Sequence, residues 1–163
     1  SAPAELVSRM SILPVAVGRA IFPRLSALYG GNKSAAKELR QAYLYSIVLT
    51  LPIAVFVILF SPYIIELWLG NNFSSQADVI LRILVIGFFF NSIALIPYND
   101  LQSKGKSYLT AKIHIFEVIP YLISLVLSIH LFGVLGAACV WTLRMGVDML
   151  LMEYNSRRFR DIA

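Results

Sequence analysis

The chain has 163 residues, of which 58% are hydrophobic and 14% are charged, and its formal net charge is +5. A soluble domain has roughly 45 to 50% apolar and about 25% charged residues, so this chain has too little polar surface for a water-soluble globule. Its basic residues are spread along the chain rather than gathered in one patch, which argues against nucleic acid as a partner. We therefore predict an all-α, polytopic membrane helix bundle surrounded by membrane lipids.

About five segments have the length and apolarity of membrane-spanning helices. The first carries three arginines and several Pro and Gly residues, so we expect it to lie inside a bundle or beside water. Because Ser1 is not preceded by Met or a signal peptide, we interpret the chain as a fragment. In chain order, the predicted spans are residues 7–28, 42–60, 79–98, 113–132 and 134–154.

The connections between these spans alternate in charge. Residues 61–78 and the turn at 130–133 contain no Lys or Arg, whereas the other connections and the C-terminal tail are basic. Basic loops stay in the cytoplasm of an up-down bundle, so we predict that these loops and the tail are cytoplasmic and that Ser1 is outside. The basic residues are Lys33, Lys37, Arg40, Lys104, Lys106, Lys112, Arg157, Arg158 and Arg160.

The loop after the second span contains a segment from Pro62 to Gly70 with Tyr63 and Trp68. These aromatic residues favour a short helix at the level of the lipid headgroups. The alternative is a simple extension of the second span.

The fourth span carries polar residues at spacings of three and four, which form one continuous stripe on an otherwise apolar helix. In lipid, such a stripe faces the bundle interior or a water-filled cavity. It predicts a substrate pathway, with Glu117 and His114 as coupling residues that carry protons. The alternative is hydrogen bonding between helices. The stripe consists of Thr110, His114, Glu117, Tyr121, Ser124 and Ser128.

Two arginines lie near the middle of predicted spans, where an unpaired Arg costs at least about 2.5 to 3.5 kcal/mol. Arg144 has Asp148 four residues later, so a local ion pair is one interpretation. Arg19 has no acidic neighbour in its own helix and needs water, a partner such as Glu117, or an anionic substrate. Arg82 and Arg9 lie close to span ends and can reach the membrane surface.

Small residues predict close helix packing at Gly133, Gly136 and Ala137. A second small and polar face (Gly87, Asn91, Ala94 and Tyr98) is compatible with packing or with a cavity. With two histidines and one cysteine, Cys139, a structural metal site is not expected. We also predict no cofactor and no catalytic residue, because Glu66, Asp78 and Asp100 read as isolated loop acids.

Several blocks resemble the C-terminal lobe of polysaccharide-unit flippases, which export O-antigen or capsular repeat units and belong to the superfamily of multidrug and toxin extruders. Their order and spacing are more specific than any single block. They are Gly18–Ser26 (GRAIFPRLS), Ile64–Phe73 (IIELWLGNNF), Leu81–Leu84 (LRIL) and Gly133–Arg144 (GVLGAACVWTLR).

The resemblance implies a transporter of two six-helix lobes that moves a polyprenyl-diphosphate-linked oligosaccharide across the bacterial inner membrane by alternating access. This chain would supply most of the C-terminal lobe, without its first helix and without the N-terminal lobe. The candidate substrate-cavity residues are Arg19, Arg144, Arg82, Arg9, Tyr121 and Ser124, and the candidate coupling residues are Glu117, His114 and Asp148.

Three rival interpretations remain open on the sequence. One is a multidrug or peptidoglycan-precursor exporter of the same superfamily. Another is a membrane-embedded glycan polymerase or transferase, although the outer loop contains no Arg. The third is a structural subunit whose polar stripes only join helices.

Overall fold

A computed structural model describes residues 2–31, 34–70 and 75–159, and these ranges are helical without any strand. Four helical segments are long and apolar enough to cross a membrane, one of them folded in two. The prediction of an all-α polytopic bundle is confirmed. The helices are α1 (Ala2–Met10), α2 (Ile12–Gly30), α3 (Ala36–Leu69), α4 (Ser75–Ser103) and α5 (Ser107–Arg158).

The first predicted span is divided between α1 and α2 at Ser11. Pro14 has no backbone N–H to donate to the carbonyl of Met10, so the regular hydrogen-bond ladder is interrupted there. The Ser11 hydroxyl and backbone N–H both donate to the carbonyl of Val7, at 3.0 and 3.2 Å. Arg9 and Arg19 therefore lie on opposite sides of this break.

The predicted headgroup-level helix from Pro62 to Gly70 is wrong as a separate element, because α3 continues without interruption to Leu69. Pro62 cannot donate to the carbonyl of Ile58. The hydroxyl of Ser61 donates to that carbonyl at 3.1 Å. The proline is therefore accommodated inside the helix, and the segment extends the second span.

α5 is a helical hairpin rather than one straight helix. Gly133 has φ 61° and ψ −140°, a backbone conformation that glycine adopts most readily. The chain reverses there. The close approach of Gly136 to Ser128 shows this, since a Cβ placed on Gly136 would lie 2.3 Å from the carbonyl oxygen of Ser128. We refer to residues 107–132 as the first arm and residues 134–158 as the second arm.

α4 is the central helix and contacts each of the other four. Leu81, Val85 and Phe88 on α4 are completely buried. Gly87 lets Trp141 of the second arm approach closely, since a Cβ at Gly87 would lie 2.5 Å from its ring. On the small and polar face of α4, Gly87 therefore serves packing against the second arm.

The ends of α2, α4 and the second arm meet at a buried acidic residue, Asp100. The interpretation of Asp100 as an isolated loop acid is wrong, because it lies inside α4 and accepts hydrogen bonds from Tyr29, Lys104 and Ser156. The Lys104 side chain is also buried, with 7% of its surface exposed. We call these four residues the Asp100 cluster.

Candidate functional site

Four ionisable side chains from the two arms of α5 meet in the hairpin. His114 and Glu117 share one face of the first arm, and Arg144 and Asp148 share one face of the second, because residues three or four apart are neighbours on a helix. His114 Nδ1 lies 3.5 Å from Asp148 Oδ1 and 4.0 Å from Glu117 Oε2. Arg144 Nε lies 3.7 Å from Glu117 Oε2. We call this group the hairpin cluster.

The hairpin cluster is largely buried but incompletely hydrogen-bonded. The side chains of Glu117 and Asp148 are 8% and 12% exposed, while those of Arg144 and His114 are 26% and 42% exposed. Both carboxylate oxygens of Glu117, Oδ1 of Asp148, Nδ1 of His114 and Nε of Arg144 are buried without a hydrogen-bond partner among the described residues. Since unsatisfied buried polar atoms are costly, such a set is typical of a working site.

Three of these groups are placed so that they could share a cation. One ligand atom from each of His114, Glu117 and Asp148 lies within 4.8 Å of the others. The expectation of no metal rested on counting His and Cys residues, and it stays a prediction. Two carboxylates beside one guanidinium leave one negative charge, which a proton on His114 or one monovalent cation would balance.

A pocket of about 390 Å³ adjoins the hairpin cluster, a volume within the usual range for small-ligand sites. Its polar wall contains Tyr121, Ser124 and Ser128 of the first arm with Arg144 of the second. The Arg144 guanidinium lies 4.7 Å from the centre of the Tyr121 ring, in cation–π geometry. The structure thus brings together Arg144, Tyr121 and Ser124, three of the six residues predicted for the substrate cavity.

A second, mostly apolar pocket of about 450 Å³ lies between α1, α4 and the hairpin. Val7, Leu84 and Trp141 contribute to its walls. Tyr121 lines both pockets, so the two lie next to each other along the hairpin.

The other three arginines predicted for the cavity lie apart from the hairpin cluster. Arg9 pairs with Glu5 at 2.7 Å on an exposed surface. Arg82 lies 3.0 Å from Asp78 and donates to Ser61, so Asp78 is not an isolated loop acid. Arg19 is exposed on α2 and has no ion pair among the described residues.

Two sequence-based pairings are wrong. Arg144 faces Glu117 of the other arm instead of forming an ion pair with Asp148 four residues away. Glu117 is therefore not the partner of Arg19. Antiparallel packing of the arms sets Arg144 against the first arm, and the imidazole of His114 takes the place beside Asp148.

Comparison of the sequence with models of known protein families identifies the family of this chain. Residues 4–130 match the MatE family model, more than half of the chain. The chain belongs to the MatE family.

Three relatives extend this assignment. The MatE chain is 39% identical over 162 residues to a protein named as an O-antigen transporter in Shigella flexneri, covering 99% of the chain and 38% of the relative. It is 28% identical over 149 residues to a protein named as the low-salt glycan biosynthesis flippase Agl15 in Haloferax volcanii, covering 90% and 31%. It is 30% identical over 134 residues to the uncharacterized membrane protein MJ1068 of Methanocaldococcus jannaschii, covering 81% and 26%.

This MatE chain therefore spans between 26% and 38% of the length of these relatives. No solved structure matches it.

The polar stripe of the first arm divides into two parts with different surroundings. Thr110 is buried and accepts a hydrogen bond from Gln102 of α4 at 3.0 Å, so this end joins helices. Ser124 is exposed and lines the pocket beside Arg144. One end of the stripe in this MatE protein thus joins helices, and the other borders a pocket, where its role as a substrate pathway stays a prediction.

Lys33, Arg160 and the last residues of the block 64–73 lie outside the described residues. The Asp100 cluster was missed because its partners are up to 71 residues apart in sequence. One signal pointed to it, since Asp100 and Lys104 have the spacing of an ion pair on a helix.

Proposed function

We propose that this chain is most of the C-terminal lobe of a membrane transporter that flips a polyprenyl-diphosphate-linked oligosaccharide by alternating access. The observation that carries the proposal is the pocket beside Arg144 in the membrane-spanning hairpin. A guanidinium binds phosphate oxygens through two parallel hydrogen bonds. The hydroxyls of Ser124 and Ser128 and the ring of Tyr121 suit a sugar next to that phosphate.

The names of two relatives support this class of substrate, since one is named for O-antigen transport and the other as a glycan biosynthesis flippase. Because the chain covers 38% of the first relative, we assign the N-terminal lobe and the remaining helix of this lobe to the rest of a longer protein. The alternating loop charges support a bacterial inner membrane location with basic loops and tail in the cytoplasm. We assign no enzymatic activity, since both of these relatives are named for transport.

We further propose that the hairpin cluster couples transport to a proton or a monovalent cation. Glu117, His114 and Asp148 carry the exchangeable charge, and Arg144 contacts both this cluster and the substrate pocket. Binding of a cation by Glu117 would release Arg144 toward the diphosphate. The two ligands are therefore linked through one guanidinium.

The decisive experiment replaces Arg144 with Ala in the full-length protein, with Leu150→Ala as a matched control because Leu150 lies on the same arm and is 65% exposed. We expect lipid-linked repeat units to accumulate on the cytoplasmic side in Arg144→Ala cells and not in control cells. Arg144→Lys should restore transport only in part, because an ammonium cannot bind bidentately. Normal surface polysaccharide at normal abundance of the Arg144→Ala protein would refute the proposal.

Coupling has a separate test in proteoliposomes. The rate of flipping should depend on pH or on the cation gradient in the parent protein and lose that dependence in Glu117→Gln. A rate that stays flat in both proteins would exclude Glu117 as a coupling residue while leaving the substrate assignment intact.

A further inference from the structure

A groove of about 270 Å³ lies between α2 and α3, and it shares no lining residue with the two hairpin pockets. Its lining comes from these two helices alone. Arg24, Gln41 and Tyr45 on its walls are exposed. Both helices are long and apolar enough to cross a membrane, so an acyl chain can reach the groove wherever the rest of the longer protein leaves it open.

The lining residues are ordered by depth. α2 ends at Gly30 and α3 begins at Ala36, so the two helices run antiparallel through a short connection. Of the residues that line the groove, Arg24 and Glu38 are the nearest to this connection on their helices, and Val17 and Tyr45 are the farthest from it. Seven residues of helix correspond to about 10 Å. The groove is therefore charged at the end near the connection and apolar toward the middle of the membrane.

The charged end holds one cation and one anion that are not paired with each other. Neither Arg24 nor Glu38 forms an ion pair within 4.0 Å with any described residue. Glu38 is half-buried on the third residue of α3, close to the membrane surface. A carboxylate in this position is stabilised by a cationic donor.

We infer that this groove binds a phospholipid with a zwitterionic, primary-amine headgroup, such as phosphatidylethanolamine. The phosphate contacts Arg24, and the ammonium donates hydrogen bonds to Glu38. The Gln41 amide lies next to the charged pair and can donate to the ester oxygens, while an acyl chain follows Ile21 and Val17. One positive and one negative wall match a zwitterion better than a purely anionic headgroup.

This inference requires that the helices lie in a membrane and that the groove stays open in the longer protein, and it does not depend on the flippase assignment. Its site shares no lining residue with the pocket beside Arg144. Loss of transport in Arg144→Ala should therefore leave lipid binding at the groove unchanged.

The test is native mass spectrometry of the full-length protein titrated with phosphatidylethanolamine, phosphatidylcholine or phosphatidylglycerol of identical acyl chains. Phosphatidylcholine has no N–H to donate to Glu38, and phosphatidylglycerol has no cation. We expect the parent protein to prefer phosphatidylethanolamine about tenfold over either, as one charge-assisted hydrogen bond would produce. Glu38→Gln should abolish the preference over phosphatidylcholine, and Arg24→Gln should weaken binding of all three lipids.

Lys37→Gln is the matched control, because Lys37 is the exposed neighbour of Glu38 and does not line the groove. A photo-crosslinking residue at Tyr45 provides a second measurement that leaves both charges in place, and it should label phosphatidylethanolamine selectively. Equal binding of the three lipids, a preference for phosphatidylglycerol, or an equal loss in Lys37→Gln would overturn the inference.

Discussion

The Asp100 cluster and the hairpin cluster are both buried groups of charged residues, yet they differ in how their polar atoms are satisfied. Asp100 is 0% exposed and accepts hydrogen bonds from three side chains. The carboxylate of Glu117 is nearly as buried but accepts none from the described residues. A satisfied buried network stabilises one structure, whereas an unsatisfied one retains energy that a ligand can recover.

The difference in hydrogen bonding suggests a structural role for the Asp100 cluster and a functional role for the hairpin cluster, although both contain buried charged residues. The Asp100 cluster joins α2 and the second arm to the end of α4, at one end of the bundle. The hairpin cluster borders a pocket and lies on two arms of a single hairpin. We therefore expect the Asp100 cluster to control stability and the hairpin cluster to control transport. Four substitutions test this distinction through the free energy of unfolding in detergent.

Asp100→Ala should have the largest effect, about 3 to 5 kcal/mol of destabilisation, because it leaves the Lys104 ammonium buried without its partner. Thermal unfolding and protein abundance in the membrane measure this loss. Glu5→Ala is the control, since its ion pair with Arg9 is exposed and should contribute less than about 1 kcal/mol. Equal losses in the two variants would contradict the assigned role of the Asp100 cluster.

Gly136→Ala should destabilise the hairpin by about 1 to 3 kcal/mol, because the new Cβ would meet the Ser128 backbone and force the arms apart. Gly146→Ala in the same arm serves as control. Its Cβ would lie 3.5 Å from Phe90, an ordinary contact. We expect Gly146→Ala to be neutral or stabilising by up to about 1 kcal/mol, as for Gly to Ala in a helix interior.

Glu117→Gln should lower the free energy of unfolding by less than Asp100→Ala does, because it removes the 3.7 Å ion pair with Arg144 but no hydrogen bond. Transport should nevertheless fall and lose its dependence on pH or cation. A loss of stability as large as that of Asp100→Ala, with transport per folded molecule unchanged, would place Glu117 in a structural role.

Arg9→Gln should have the smallest effect, below about 0.5 kcal/mol, because the ion pair between Arg9 and Glu5 is exposed. The unfolding midpoint and the rate of transport should both match those of the parent. A marked loss of transport would restore Arg9 to the substrate cavity in which the sequence placed it.

Much of the fold was predictable because lipid imposes a strong pattern on sequence. Apolar length indicated the long helices, and Gly133 marked the turn between 113–132 and 134–154. The headgroup-level helix was mispredicted because Tyr63 and Trp68 indicate depth in the membrane but do not distinguish a separate helix from an extension of the second span. At Pro62, the Ser61 hydroxyl replaces the missing donor.

The members of the candidate site were predictable, but their pairing was not. Spacing alone put His114 and Glu117 on one helical face and Arg144 and Asp148 on another. Which carboxylate faces Arg144 depends on how the arms rotate against each other, and that rotation is fixed by the close approach of Gly136 to Ser128. Sequence spacing within one helix carries no information about such a contact.

The turn at Gly133 also bears on how this protein enters the membrane. Because the chain reverses at a single glycine, with almost no loop between the arms, we expect the two arms to insert as one unit. Arg144 and Glu117 face each other across the arms, so their opposite charges enter the lipid together. The hairpin thereby avoids the cost of burying a single charge during biosynthesis.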